Sequence, residues 1–177
     1  MRKLPVDKLT PVVVISATSV AGRILFNFIP QIQPCTALII LTGLSLGPFC
    51  GGATGALTAF VSNILLGQGP WTPFQMLAWG LIGVGAGYMG KNKLTSSLTA
   101  TCVYGVMSAF FYSVLTDFSS LYYTLGSVTL RDFGLMLLTG LSFNISHAVC
   151  NVIFIILLYH KFLQKLTRIR DKYGFLC

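Results

Sequence analysis

The chain has 177 residues, of which 54% are hydrophobic and 9% charged, with a mean hydropathy of +0.78, whereas a soluble domain carries ~25% charged residues. That excludes a water-soluble globular protein and identifies an integral membrane protein, all-α and a single domain over residues 1–177. The net charge of +8 sits beside apolar segments, where it meets anionic membrane lipid and fixes topology, so no nucleic-acid partner is expected.

The amino terminus, Met1-Arg2-Lys3, resembles the basic start of a secretory signal, but the apolar run 12–15 is short and its segment continues through Gly22 and Arg23 to Ile29. It is expected to be retained as a first helix. A bilayer core takes about 20 mostly apolar residues per helix. On that ruler six spans are expected, at 11–29, 36–47, 52–66, 74–90, 95–117 and 132–159. The second and third are short and share the turn Gly-Pro-Phe-Cys-Gly-Gly at 47–52, which suits tilted spans, partly buried ones or a single re-entrant hairpin. The sixth is long enough to project past the bilayer.

Lysine and arginine crowd both termini and the 91–93 connection, while 24–90 carries no charge at all. With both termini cytoplasmic, six spans put Arg2, Lys3, Lys8, Lys91, Lys93 and the basic tail on one side, as the positive-inside rule requires. The opposite, external side then receives three connections, 29–34, 67–73 and 118–131.

These external segments are rich in amides and aromatics and nearly free of charge, a composition that suits a pocket better than a solvated loop. Candidate substrate-binding residues are Gln31, Gln33, Gln68, Trp71, Thr72, Gln75 and Trp79, with Tyr112, Tyr122, Tyr123 and the external cation Arg131. The competing reading of Trp71, Trp79, Tyr122 and Tyr123 is an interfacial aromatic belt. Pro70 and Pro73 are expected to stiffen the third connection and to start the fourth helix near its first turn.

Small residues recur four apart at Ala17 and Ala21, at Gly51 and Gly55, and at Gly83 and Gly87, each a flat stripe that admits a neighbouring helix. Most are expected to pack inside the molecule. Ala17 and Ala21 lie on the first helix, where a second protein can reach them. The string Gly-Ala-Gly-Tyr-Met-Gly at 85–90 matches a dinucleotide fingerprint but ends a membrane helix, without the strand that the fingerprint's mechanism needs. Asn144-Ile-Ser lies inside a span and is no glycosylation acceptor.

The four acids, Asp7, Asp117, Asp132 and Asp171, read as helix-end residues. Five cysteines without close pairing indicate neither a disulfide framework nor a zinc site. Arg23 is the one basic residue well inside a span, so it faces protein or an aqueous cavity. It either bonds loop carbonyls, Asp117 or Asp132, or contacts a ligand. On the sixth span Asn144, His147 and Asn151 fall on one face, and such a polar stripe marks either a binding site or bonds to neighbouring helices. Asn144 and His147 join the candidate binding residues. His147 is a conceivable metal ligand, though a lone histidine more often satisfies a helix bundle; no metal site is expected.

With the segment 23–34, Arg-Ile-Leu-Phe-Asn-Phe-Ile-Pro-Gln-Ile-Gln-Pro, the run from Gly55 to Gly83 and the Ala17/Ala21 motif on the page, the chain resembles the S components of energy-coupling factor (ECF) transporters. These are the substrate-capturing subunits of prokaryotic vitamin importers, and the resemblance covers nearly the whole chain. It implies a six-transmembrane-helix bundle of the S-component type in a prokaryotic cell membrane. It further implies capture of one vitamin from outside and docking through Ala17 and Ala21 on a transmembrane coupling protein that carries two ATPases. ATP and magnesium then belong to the partners, and the chain has no cofactor of its own. The stretch 23–83 is most similar to the cobalamin-specific branch, so cobalamin (vitamin B12) is the expected transported ligand. Riboflavin, folate, pantothenate, thiamine and queuosine-precursor branches share the architecture. The opposing class is a small membrane enzyme or a channel subunit. No P-loop, metal-protease motif or close carboxylate pair supports an enzyme.

Overall fold

The computed structural model describes residues 6–91 and 97–173, with the side chains of 6–8 and 173 excepted. Arg2, Lys3 and Lys93, three of the charges used to orient the chain, lie outside the described residues, as does the side chain of Lys8. The described chain is all helical: α1 (Val6–Leu25), α2 (Cys35–Leu46), α3 (Pro48–Leu66), α4 (Thr72–Gly90), α5 (Leu98–Leu125), α6 (Leu130–Thr139) and α7 (Leu141–Tyr173).

The expected sixth span, 132–159, is thus two helices. The chain breaks at Gly140, whose N–H turns back to the carbonyls of Met136 and Leu138. Just before it, Thr139 Oγ1 donates into the last turn of α6, to Leu135 and Met136. The short α6 is set by a capping box between Thr129 and Asp132 and buries none of its residues. Among the described residues seven helices therefore stand where six spans were expected. Of the described segments, Pro48–Leu66, Leu98–Leu125 and Leu141–Lys172 are long and apolar enough to cross a membrane unaided. At 33 residues α7 measures about 50 Å, longer than the ~30 Å hydrocarbon core.

The core sits around α2, all twelve of whose residues are buried. A helix that is apolar on every side belongs in the middle of a bundle. Contacts fix the directions of its neighbours. Trp79 meets Thr36 while Gly90 backs onto Leu44, so α4 runs parallel to α2. Thr36 meets His147 while Ser45 meets Arg170, so α7 does too. Three more, α1, α3 and α5, run the opposite way: Gly87 backs onto Pro48 while Gly55 backs onto Trp79, which makes α3 antiparallel to α4; Ser16 reaches Thr54 and Arg23 reaches Ser62, which makes α1 parallel to α3; and Gly105 faces Asn151 and Ile155 while Tyr112 faces His147, which makes α5 antiparallel to α7.

The α3–α4 seam is built from glycine. A Cβ on Gly51 would strike the Gly83 carbonyl, and one on Gly83 would strike Gly51. Gly55 lies against the backbone of Trp79, and Gly43 of α2 against that of Gly83. The small-residue stripes at 51/55 and 83/87 thus pack inside the molecule. The stripe at Ala17 and Ala21 does not; both lie exposed on α1 beside Val13, Val14 and Thr18. Cys35, Cys102 and Cys150 are free thiols, whereas Cys50 is disulfide-bonded, a bond the spacing of the cysteines did not indicate.

Candidate functional site

The ends of α1, α4 and α5 nearest the 26–34 connection surround a polar cavity of about 250 Å³, which includes Arg23, Gln31, Gln33, Gln75, Tyr112 and Thr116 in its lining. Its lip is the connection between α1 and α2. Gln31 takes a left-handed backbone there, φ 63°, and Phe26 pins the segment edge-on against Phe154 of α7, with ring centroids 5.9 Å apart. Gly22 closes the joint from below, because any Cβ on it would overlap the ring of Pro34.

Arg23 is held from α3. Its Nη1 donates to Ser62 Oγ at 2.6 Å and to Asn63 Oδ1 at 3.0 Å. The amide of Asn63 passes the order on, donating to Gln75 Oε1 at 2.8 Å and to Thr72 Oγ1 at 2.9 Å. Thr72 in turn donates to Gln68 Oε1 at 2.9 Å. The network ties three elements and leaves Gln75 oriented at the cavity wall. Asn63 is 2% exposed, and a buried amide left without these partners would be costly.

Beneath the cavity lies an aromatic stack. Tyr112 stacks on Trp79 with centroids 5.0 Å apart and planes 24° from parallel, and the guanidinium of Arg23 lies 5.1 Å from the Trp79 ring centre. Trp79 Nε1 donates to Thr36 Oγ1 at 3.1 Å, and Thr36 Oγ1 is also 3.1 Å from His147 Nε2. His147 meets Tyr112 edge-on at 5.5 Å. Both Trp79 and His147 are 0% exposed; they support the floor rather than form its surface. Asn151, one turn beyond, donates to the Gly105 carbonyl at 3.0 Å.

The residues singled out in the sequence are thereby sorted. Gln31, Gln33, Gln75 and Tyr112 come together at the cavity. Thr72 and Gln68 belong to the network that holds Gln75. Trp79 and His147 lie behind Tyr112, and Asn144 is buried near the Gly140 break. Trp71 is the N-cap of α4, 41% exposed, with its indole lying over Gly69. Tyr122, Tyr123 and Arg131 are exposed on the α5 end and α6. Ser62, Asn63, Asn27 and Thr116 were not anticipated as site residues. For Asn63 a signal existed: it is the lone amide in an otherwise apolar helix. Arg23 bonds neither Asp117 nor Asp132 among the described residues, but a hydroxyl and an amide from α3. The described residues contain no group of three or more His, Cys, Asp or Glu side chains that could hold a metal ion.

A wall of neutral amides, one guanidinium and an aromatic floor can bind a flat, uncharged or acceptor-edged molecule. Compared with known families, residues 3–165 match the model of the ECF-type riboflavin transporter, S component. No match was found among curated proteins or among solved structures.

Proposed function

The chain belongs to the family of ECF-type riboflavin transporter S components, and from that premise we propose that it captures a flavin, riboflavin or a close relative, in the cavity bounded by Arg23, Gln75 and Tyr112. As a member it is a vitamin-binding transporter subunit in a membrane and not an enzyme, and it associates with an ECF module. The observation that carries the flavin reading is the family match over residues 3–165, and the cavity, lined by neutral amides, Arg23 and Tyr112, is compatible with it. The cavity suits a flat fused-ring system laid on Tyr112, with a polar chain left in the mouth.

Cobalamin, the ligand expected from the stretch 23–83, is several times larger than this cavity and would need the 26–34 lip to swing away. The flavin reading requires no such movement. In the same reading α1, α2, α3, α4, α5 and α7 cross the membrane in alternating directions, with both termini and Lys91 cytoplasmic and the cavity open to the outside of a prokaryotic cell. Ala17 and Ala21 then form the docking stripe for a coupling protein that bears two ATPases. ATP and magnesium stay with those partners.

Purification of the unsubstituted protein from cells grown with both vitamins, followed by absorbance and mass spectrometry of the released small molecule, tests the proposal. A released flavin supports it. A released corrinoid, or a protein that carries neither and takes up neither, counts against it.

A further inference from the structure

Among the described residues no carboxylate pairs with the charge of Arg23. The chain has only four acids, and each stands elsewhere. Asp7 is sixteen positions back along α1, about 24 Å away. Asp132 is used by the capping box with Thr129, and Asp171 pairs with Arg170 at 3.1 Å. Asp117 faces the α6–α7 break, its Oδ2 3.6 Å from where a Cβ on Gly140 would stand, and it makes no ion pair among the described residues. A partly buried guanidinium without a counter-ion is unfavourable inside a bundle, and the chain retains it at the cavity wall.

The same guanidinium is only half used. Nη1 serves Ser62 and Asn63, while Nε and Nη2 have no protein acceptor among the described residues, although Arg23 lines the cavity. The cavity lining contains no carboxylate. Trp79 holds Arg23 over its face and Tyr112 in its stack, so the free donors and the aromatic floor are positioned by one buried indole.

We propose that Arg23 is the specificity-determining residue of the cavity: its free nitrogens bind the edge of the ligand that carries adjacent carbonyl and ring-nitrogen acceptors, the pyrimidinedione of a flavin. This rests on the flavin reading above and adds the orientation, dione toward α1 and polar chain toward the mouth. A planar cation with several fixed donors suits paired acceptors better than a lysine ammonium does.

The test titrates riboflavin into the full-length, detergent-solubilised protein and its Arg23→Gln and Arg23→Lys variants, with melting temperatures recorded for each. Binding to Arg23→Gln is expected to fall by about ten- to a hundredfold, the range for a hydrogen bond to a charged group, with Arg23→Lys in between. A spectroscopic readout separates contact from mere support. The N3–H of the bound flavin, followed by absorbance against pH, is expected to ionise at lower pH than in free riboflavin, and to keep that shift in Arg23→Lys. Should Arg23→Gln fail to fold, the wild-type shift and Arg23→Lys decide. Unchanged affinity in Arg23→Gln, or no downward shift in the wild type, overturns the role of Arg23 while the flavin reading stands. No riboflavin binding by the unsubstituted protein overturns both.

Discussion

Tyr112 lines the cavity while Trp79, stacked on it, is wholly buried, and the two are expected to respond differently to substitution. Tyr112→Ala removes the floor and should weaken riboflavin binding by about thirtyfold, as loss of an aromatic anchor of ~2 kcal/mol does. Trp79→Phe keeps a ring in the stack but loses the N–H bond to Thr36. It should cost about 1 kcal/mol of stability and shift affinity by no more than about threefold. Calorimetry with riboflavin and thermal melts of both variants check the pair; the reverse pattern would place Trp79, not Tyr112, at the ligand. Trp71→Ala, at an exposed N-cap, is expected to leave affinity unchanged.

At this scale the sequence was informative where a residue violated its surroundings. Arg23 in an apolar span and the stripe Asn144, His147 and Asn151 were visible for that reason. Their partners were not, because Ser62 and Asn63 lie 39 and 40 positions from Arg23 and Thr36 lies 111 from His147. Nor does aromatic composition alone separate the ring that floors a cavity from rings that face lipid or water.

Among the elements, the α3–α4 seam is set by backbone approach rather than by side-chain fit. Gly83→Ala should destabilise by about 1–3 kcal/mol, the usual cost of overpacking, because its Cβ would meet the Gly51 carbonyl. Gly134→Ala in α6 has open space around the new methyl and should stabilise by up to about 1 kcal/mol through helix propensity. Thermal unfolding in one detergent measures both; equal effects would remove the seam from the account. The stripe at Ala17 and Ala21 faces outward instead. Replacing both with Leu should abolish copurification with an ECF module while riboflavin binding by the isolated chain persists, and loss of binding with assembly intact would reverse that assignment.

The glycine and alanine stripes were legible because their spacing of four is a helical period. The break at Gly140 was not, since the run 132–159 is apolar on both sides of it and hydropathy sees no boundary. α6 ends at Gly140, whose N–H folds back to the carbonyls of Met136 and Leu138, a change of hydrogen bonding that hydropathy does not register.

For the whole molecule, the alternating directions of α1, α2, α3, α4, α5 and α7 agree with the charge asymmetry that puts Lys91 opposite Gln68. Single cysteines at these two positions, in a background without the native cysteines, should label from opposite sides of the membrane. Labelling of both from one side would defeat the topology. The membrane class was plain from charge and hydropathy, and the S-component resemblance from the segments 23–34 and 55–83. The ligand was not, because amide-rich loops suit a corrinoid and a flavin alike; the family match and the size of the cavity are what favour the flavin reading.

The central claim, capture of a flavin, is tested most directly by titrating riboflavin fluorescence with the purified, unsubstituted protein in the presence and absence of excess cobalamin. Saturable quenching at one flavin per chain is expected, as the ring stacks on Tyr112, with no displacement by cobalamin. Absence of quenching, or complete displacement by cobalamin, would contradict it.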